Sequence, residues 1–112
     1  MKFSANQKDI QTSLNYCQGV IEKRSTLPIL SNVLLDASEN ELTITATDLD
    51  LIFIHKIRDI QVQETGKTTT SSSIMYDIVR KISSEKQINF SIISDAKLKL
   101  ESKKSIFNLN CI

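Results

Sequence analysis

Hydrophobic and polar positions alternate at the start of the chain, with Met1, Phe3 and Ala5 set against Lys2, Ser4 and Asn6, and predict a short strand. The period then changes. Ile10, Leu14, Cys17 and Ile21 recur at i, i+4, i+7 and i+11, with Val20 alongside, which places them on one face of a helix. Asn6 stands as N-cap with Asp9 three residues on, close to a capping box, and both suit the positive end of a helix. The polar face carries Lys8, Thr12, Asn15, Gly19 and Lys23, with Glu22 at its edge and Arg24 closing the last turn, where a cation complements the helix dipole.

Pro28 forbids helix across Leu27, and the mostly apolar residues 29–36 then suit a buried strand. After a turn at Ser38-Glu39-Asn40, Leu42, Ile44 and Ala46 alternate with Thr43, Thr45 and Thr47, which predicts the second arm of a hairpin. Residues 50–63 read as one long strand, rich in the β-branched residues Ile52, Ile54, Ile57, Ile60 and Val62, which Gly66 and the threonines 68–70 terminate. A second helix is predicted over about 73–82, capped by one of Ser71, Ser72 or Ser73. Its buried stripe is Met75, Ile78, Val79 and Ile82, and Asp77, Arg80 and Lys81 lie on the far side. Three further strands follow: Ile88, Phe90 and Ile92 alternate in one, Leu98 and Leu100 in the next, and Phe107, Leu109 and Cys111 in the last.

The predicted order is β-α-β-β-β-α-β-β-β, with residues 1–63 a longer version of the plan in 64–112. The expected fold is a single α+β domain, residues 1–112, in which two helices pack on one face of an antiparallel sheet. Their outer faces then look the same way, so Lys8, Thr12, Asn15, Lys23 and Arg24 share a surface with Arg80 and Lys81.

Net charge is +1, but the charges are unevenly placed. Residues 36–64 hold seven acids (Asp36, Glu39, Glu41, Asp48, Asp50, Asp59, Glu64) against Lys56 and Arg58, while residues 95–104 hold Lys97, Lys99, Lys103 and Lys104 against Asp95 and Glu101. Such a field suits a protein that offers one surface to a polyanion, and on the numbers alone it equally suits an ordinary solvated surface with chance clustering. No apolar run approaches the roughly eighteen residues of a membrane span, and residues 1–6 lack the apolar centre of a signal peptide, so a cytosolic location is expected. Cys17 and Cys111 have no Cys-x-x-Cys spacing and read as small buried apolar residues.

Particular residues add a resemblance. Met1-Lys2-Phe3, Arg24, Thr26-Leu27-Pro28-Ile29-Leu30, Thr47-Asp48-Leu49, Asp77-Ile78, Arg80, Phe107 and Leu109 stand in an order and spacing that resemble the opening domain of the bacterial β sliding clamps, the processivity rings of DNA polymerase III. That resemblance covers essentially the whole chain. It implies a ring of two identical subunits, each of three similar domains, of which this chain is the first. The helices of such a ring line a hole around duplex DNA, which it encloses without reading sequence while tethering DNA polymerase III, and the clamp loader is a further partner.

For individual residues, the resemblance implies that Arg24 contacts DNA and that Arg80 is a matching basic position. Lys104, Phe107 and Leu109 are similar to residues that meet the partner subunit. Two departures stand out. Ser71-Ser72-Ser73-Ile74 carries no basic residue before the second helix, and Ile106 replaces a second basic residue near the interface. The peptide-binding groove of the family belongs to later domains.

No catalytic site, cofactor or metal is expected. His55 is the lone histidine and reads as a packed or solvent-facing ring. Asp48 and Asp50 share a strand face and are the one candidate carboxylate pair for a metal-dependent enzyme, but no third ligand accompanies them and Asp48 suits a turn. With two glycines there is no material for a phosphate loop. A further alternative is a small protein-interaction domain that uses its terminal strand, residues 104–112, as an open edge.

Overall fold

The computed structural model describes residues 1–19, 31–47, 51–83, 85–103 and 105–112. The proline turn, Val20, Ile21, Lys23, Arg24, Asp48, Asp50 and Lys104 lie outside the described residues. Within them the order is β1 (Lys2–Asn6), α1 (Gln7–Gln18), β2 (Asn32–Ser38), β3 (Glu41–Thr47), β4 (Ile52–Arg58), β5 (Gln61–Glu64), β6 (Gly66–Ser71), α2 (Ser72–Val79), β7 (Gln87–Ser94), β8 (Lys97–Ser102) and β9 (Ser105–Asn110).

The α+β class holds, but the single expected sheet is two antiparallel sheets. One has the order β5-β1-β7-β8-β9 and the other β4-β3-β2-β6. Two sequence expectations change with it. The long strand over 50–63 is broken at Asp59, which adopts φ 61°, so that β4 stays beside β3 while β5 crosses to pair with β1. The threonine run is itself a strand. Thr68 and Thr70 point inward, and their hydroxyls donate to the carbonyl oxygens of Ile112 and Asn110 at 3.0 and 2.7 Å. A polar strand can be buried in this way because its side-chain hydrogen bonds are made within the protein.

The repeated plan is real and interlocked. The first strand of each half sits in the other half's sheet, β1 beside β7 and β6 beside β2. Each half also returns its last segment: β5 pairs with β1, and Ile112 exchanges two backbone hydrogen bonds with Thr69 of β6, at 2.9 and 3.2 Å.

Both sheets and both helices feed one apolar cluster. Ile10, Leu14 and Cys17 of α1, and Met75 and Val79 of α2, meet Phe3, Leu35, Ile44, Phe90 and Leu100 from the strands. Phe3 and Phe90, opposite each other on β1 and β7, stack with centroids 4.6 Å apart. The helix starts differ from each other. Asn6 is the N-cap of α1 but makes no side-chain cap, and the first helical N–H, that of Gln7, donates to the Lys86 carbonyl at 2.9 Å instead. The α2 cap is local, with Ser71 Oγ accepting from Ile74 N–H at 3.3 Å.

Candidate nucleic-acid interface

The two helices lie side by side, joined at several points. The Gln7 side chain donates to the Val79 carbonyl at 2.8 Å, and the Tyr76 hydroxyl donates to Asn15 Oδ1 at 3.5 Å. Helical spacing brings Lys8, Gln11, Thr12, Asn15 and Tyr16 to one side of α1, where with Tyr76 of α2 they line an open hollow of about 460 Å³. This lining holds one cation and no carboxylate.

Arg80 continues the same surface. Its guanidinium carbon lies 5.7 Å from the centroid of the Tyr76 ring, the approach of a cation–π pair. The guanidinium also pairs with Asp77 at 3.3 Å, both groups being more than half exposed. Tyr76 is thus the residue that neighbours both, sharing the hollow with Lys8 and its ring with Arg80.

Lys81 is placed elsewhere. α2 ends at Val79 and the chain tightens, Lys81 and Ile82 N–H donating to the Ile78 and Val79 carbonyls at 3.1 and 3.0 Å. Lys81 then lines a second hollow of about 450 Å³, with Ile82, Lys86, Lys103, Ser105 and Phe107. The Lys103 side chain, by its close approach and its like charge, lowers the Lys86 ammonium below the ordinary lysine value.

At the β9 edge the two apolar residues part. Leu109 is 5 % exposed and belongs to the core, whereas Phe107 is half-buried and forms a wall of the second hollow. Ile106 faces outward at 58 % exposure, and β9 is the outermost strand of its sheet.

Two tyrosines and one histidine escaped the sequence reading of this surface. Tyr16, 53 % exposed, sets its edge against Phe53 and His55 of β4, with centroids 6.0 and 5.9 Å away. His55 stacks on Phe53, and its Nδ1 is hydrogen-bonded to the buried hydroxyl of Ser13 on α1. These contacts lock α1 onto β4. The available signal was the i, i+4 spacing of Tyr76 and Arg80, which brings ring and cation together on a helix.

No group of three His, Cys, Asp or Glu side chains gathers among the described residues, and no helix among them is long and apolar enough to cross a membrane. Cys17 and Cys111 are free and buried.

The family model described as DNA polymerase III beta subunit, N-terminal domain, matches residues 1–112. The beta sliding clamp of Caulobacter vibrioides (strain NA1000 / CB15N) is 34% identical over 110 residues, 97% of this chain and 29% of that relative. That of Escherichia coli (strain K12) is 30% identical over 112 residues, 100% of this chain and 30% of the relative. Among solved structures, the DNA polymerase III subunit beta sliding clamp of Bartonella birtlesii superposes with a TM-score of 0.92 at 32% identity, over 100% of this chain and 31% of that one. The DNA polymerase III subunit beta of Pseudomonas aeruginosa gives 0.93 at 28%, over 100% and 30%. The chain therefore spans about three tenths of the length of these proteins. It belongs to the family of the DNA polymerase III beta subunit, matching the N-terminal domain of the sliding clamps.

Proposed function

We propose that this chain acts as the first of three domains of a replication sliding clamp, a cytoplasmic ring that encircles duplex DNA and tethers DNA polymerase III. The observation that carries the reading is the surface shared by α1 and α2, where Lys8 lines a hollow whose lining has no carboxylate and Arg80 lies over the Tyr76 ring at its edge. Sparse positive charge among hydroxyl and amide groups suits a polyanion that must be tolerated and released. Such contacts go to phosphates and carry no sequence information. Arg24, on the resemblance, and Lys23, beside it in the sequence, join this role. In this role the protein has no chemistry of its own, because enclosure and not catalysis gives processivity.

The second hollow supports a different task for its residues. Lys81, Lys86 and Lys103 surround Phe107 beside the outer edge of β9. An edge strand with an aromatic wall and a basic rim is suited to a partner strand with acidic side chains. In the ring this is the homodimer contact, with Lys104 as a further contributor, while Leu109 packs into the core beneath the strand. The reading as a small interaction domain draws on the same edge, so in a clamp the two coincide. The clamp loader is assigned as a partner of the complete ring.

Titration of the 112-residue chain with labelled duplexes of unrelated sequence, followed by anisotropy, tests the DNA reading. Weak binding that is equal for the sequences and fades with salt is expected. Binding indifferent to salt, or none in dilute buffer, would overturn it.

A further inference from the structure

Arg80 has its guanidinium over the Tyr76 ring, which lines the α1–α2 hollow, and nothing in its own backbone position holds it there. It is the C-cap residue of the helix, exposed, with a long flexible side chain. Asp77, one turn back, pulls the guanidinium along the surface of α2. Left to that ion pair alone, Arg80 would rest along its own helix and lend less charge to the hollow.

The Tyr76 ring supplies the missing constraint. It is half-buried, packs against the apolar core, and is tethered to α1 through the Asn15 side chain. Its face lies under the guanidinium. A planar cation stacks well on an aromatic face while keeping its N–H groups free at the edges, where a phosphate oxygen can accept from them.

We propose that Tyr76 is a positioning residue that holds the Arg80 guanidinium beside the α1–α2 hollow, so that Arg80 reaches a phosphate only while the ring is beneath it. The proposal rests on the DNA reading above. In it the Tyr76 ring face matters more than the hydroxyl, whose bond to Asn15 is long and exposed.

The test compares Tyr76→Leu, Tyr76→Phe, Arg80→Ala and the double variant Tyr76→Leu/Arg80→Ala. Both Tyr76 substitutions retain an apolar side chain against the core, so the fold is preserved, and a thermal melt checks this. The readout is the slope of log K against log salt for a duplex of fixed length, which counts the phosphates neutralised. Losing one contact lowers the slope by about 0.9. Arg80→Ala and Tyr76→Leu are each expected to lower it by that amount, the double variant by no more than either alone, and Tyr76→Phe not at all.

A Tyr76→Leu slope equal to that of the unmodified chain, beside a lowered Arg80→Ala slope, overturns the positioning role. Additive losses in the double variant overturn it too. Absence of DNA binding by the unmodified chain instead sinks the DNA reading, and this inference with it.

Discussion

The Gln7 side chain on α1 donates its amide hydrogen to the carbonyl oxygen of Val79, the last residue of α2, at 2.8 Å and wholly out of contact with water. The same amide nitrogen reaches Gln11 Oε1 at 2.7 Å, while the Gln7 Oε1 has no partner among the described residues. A buried polar side chain with an oxygen left unsatisfied is retained here beside a bond that fixes the relative position of two helices. The orientation of the hollow depends on that position.

Replacing Gln7 by Leu tests this link. The Val79 carbonyl still accepts from Ile82 N–H at 3.0 Å, so it is not orphaned; the bonds to Val79 and Gln11 are lost but the unsatisfied Oε1 goes with them, and the expected net loss is about 1 kcal/mol. Urea unfolding should show a lower midpoint with an unchanged slope against denaturant. DNA affinity should fall as well, because Lys8 and Tyr76 then no longer hold one relative position.

Asp77→Asn should act in the opposite direction on DNA binding. The carboxylate lies 3.3 Å from Arg80 and competes with any phosphate for its N–H groups. Removing its charge is expected to tighten duplex binding a few-fold in dilute salt, with the gain vanishing as salt screens it. Stability should change by less than about 1 kcal/mol, since the pair is exposed and such pairs contribute little. Anisotropy titration at two salt concentrations reads the first effect, and a thermal melt the second.

The parts of this architecture that were legible in the sequence are those written as local periodicity. The 3.6-residue stripes placed Lys8 and Arg80 on the outer sides of their helices, and strict alternation gave β3 as it stands, Glu41–Thr47. What periodicity cannot convey is pairing. One sheet became two because no pattern in β5 announces that Gln61–Glu64 joins β1 after a left-handed turn at Asp59. The strand β6 was hidden for a related reason: its buried positions are threonines, whose inward placement depends on carbonyl acceptors some forty residues away. The expected capping box failed likewise, since the Gln7 N–H finds its acceptor at Lys86. At the surface, the tyrosines were missed because an aromatic ring on a polar helix face acquires a role only from its neighbours on other elements.

His55 provides a test of how α1 is fixed to the four-stranded sheet. Its Nδ1 is the hydrogen-bond partner of the Ser13 hydroxyl, and Ser13 is fully buried. His55→Leu therefore strands a hydroxyl away from water and should cost about 1–3 kcal/mol. Adding Ser13→Ala removes the stranded group, so the double variant is expected to be more stable than His55→Leu alone. A double-mutant cycle by urea unfolding measures this coupling; simple additivity would show that the bond has no energetic part in the attachment.

Cys17 links the stability of the fold to alkaline pH. It lies in the core among the α1 stripe, and burial raises its thiol pKa from 9.0 to about 11. The folded state therefore holds the thiol proton more tightly than the unfolded chain does. Its contribution to stability is complete below about pH 9 and is lost as pH rises toward about 11, because only the unfolded chain ionises readily in that window. Two measurements check this. At pH 8 the thiol of the folded protein should resist alkylation, since the reactive thiolate is both scarce and covered, and should react at the ordinary rate once denaturant opens the core. Between about pH 9 and pH 11 the urea midpoint should fall more steeply for the unmodified chain than for Cys17→Ala. Equal slopes for the two proteins would mean that other groups govern the alkaline loss.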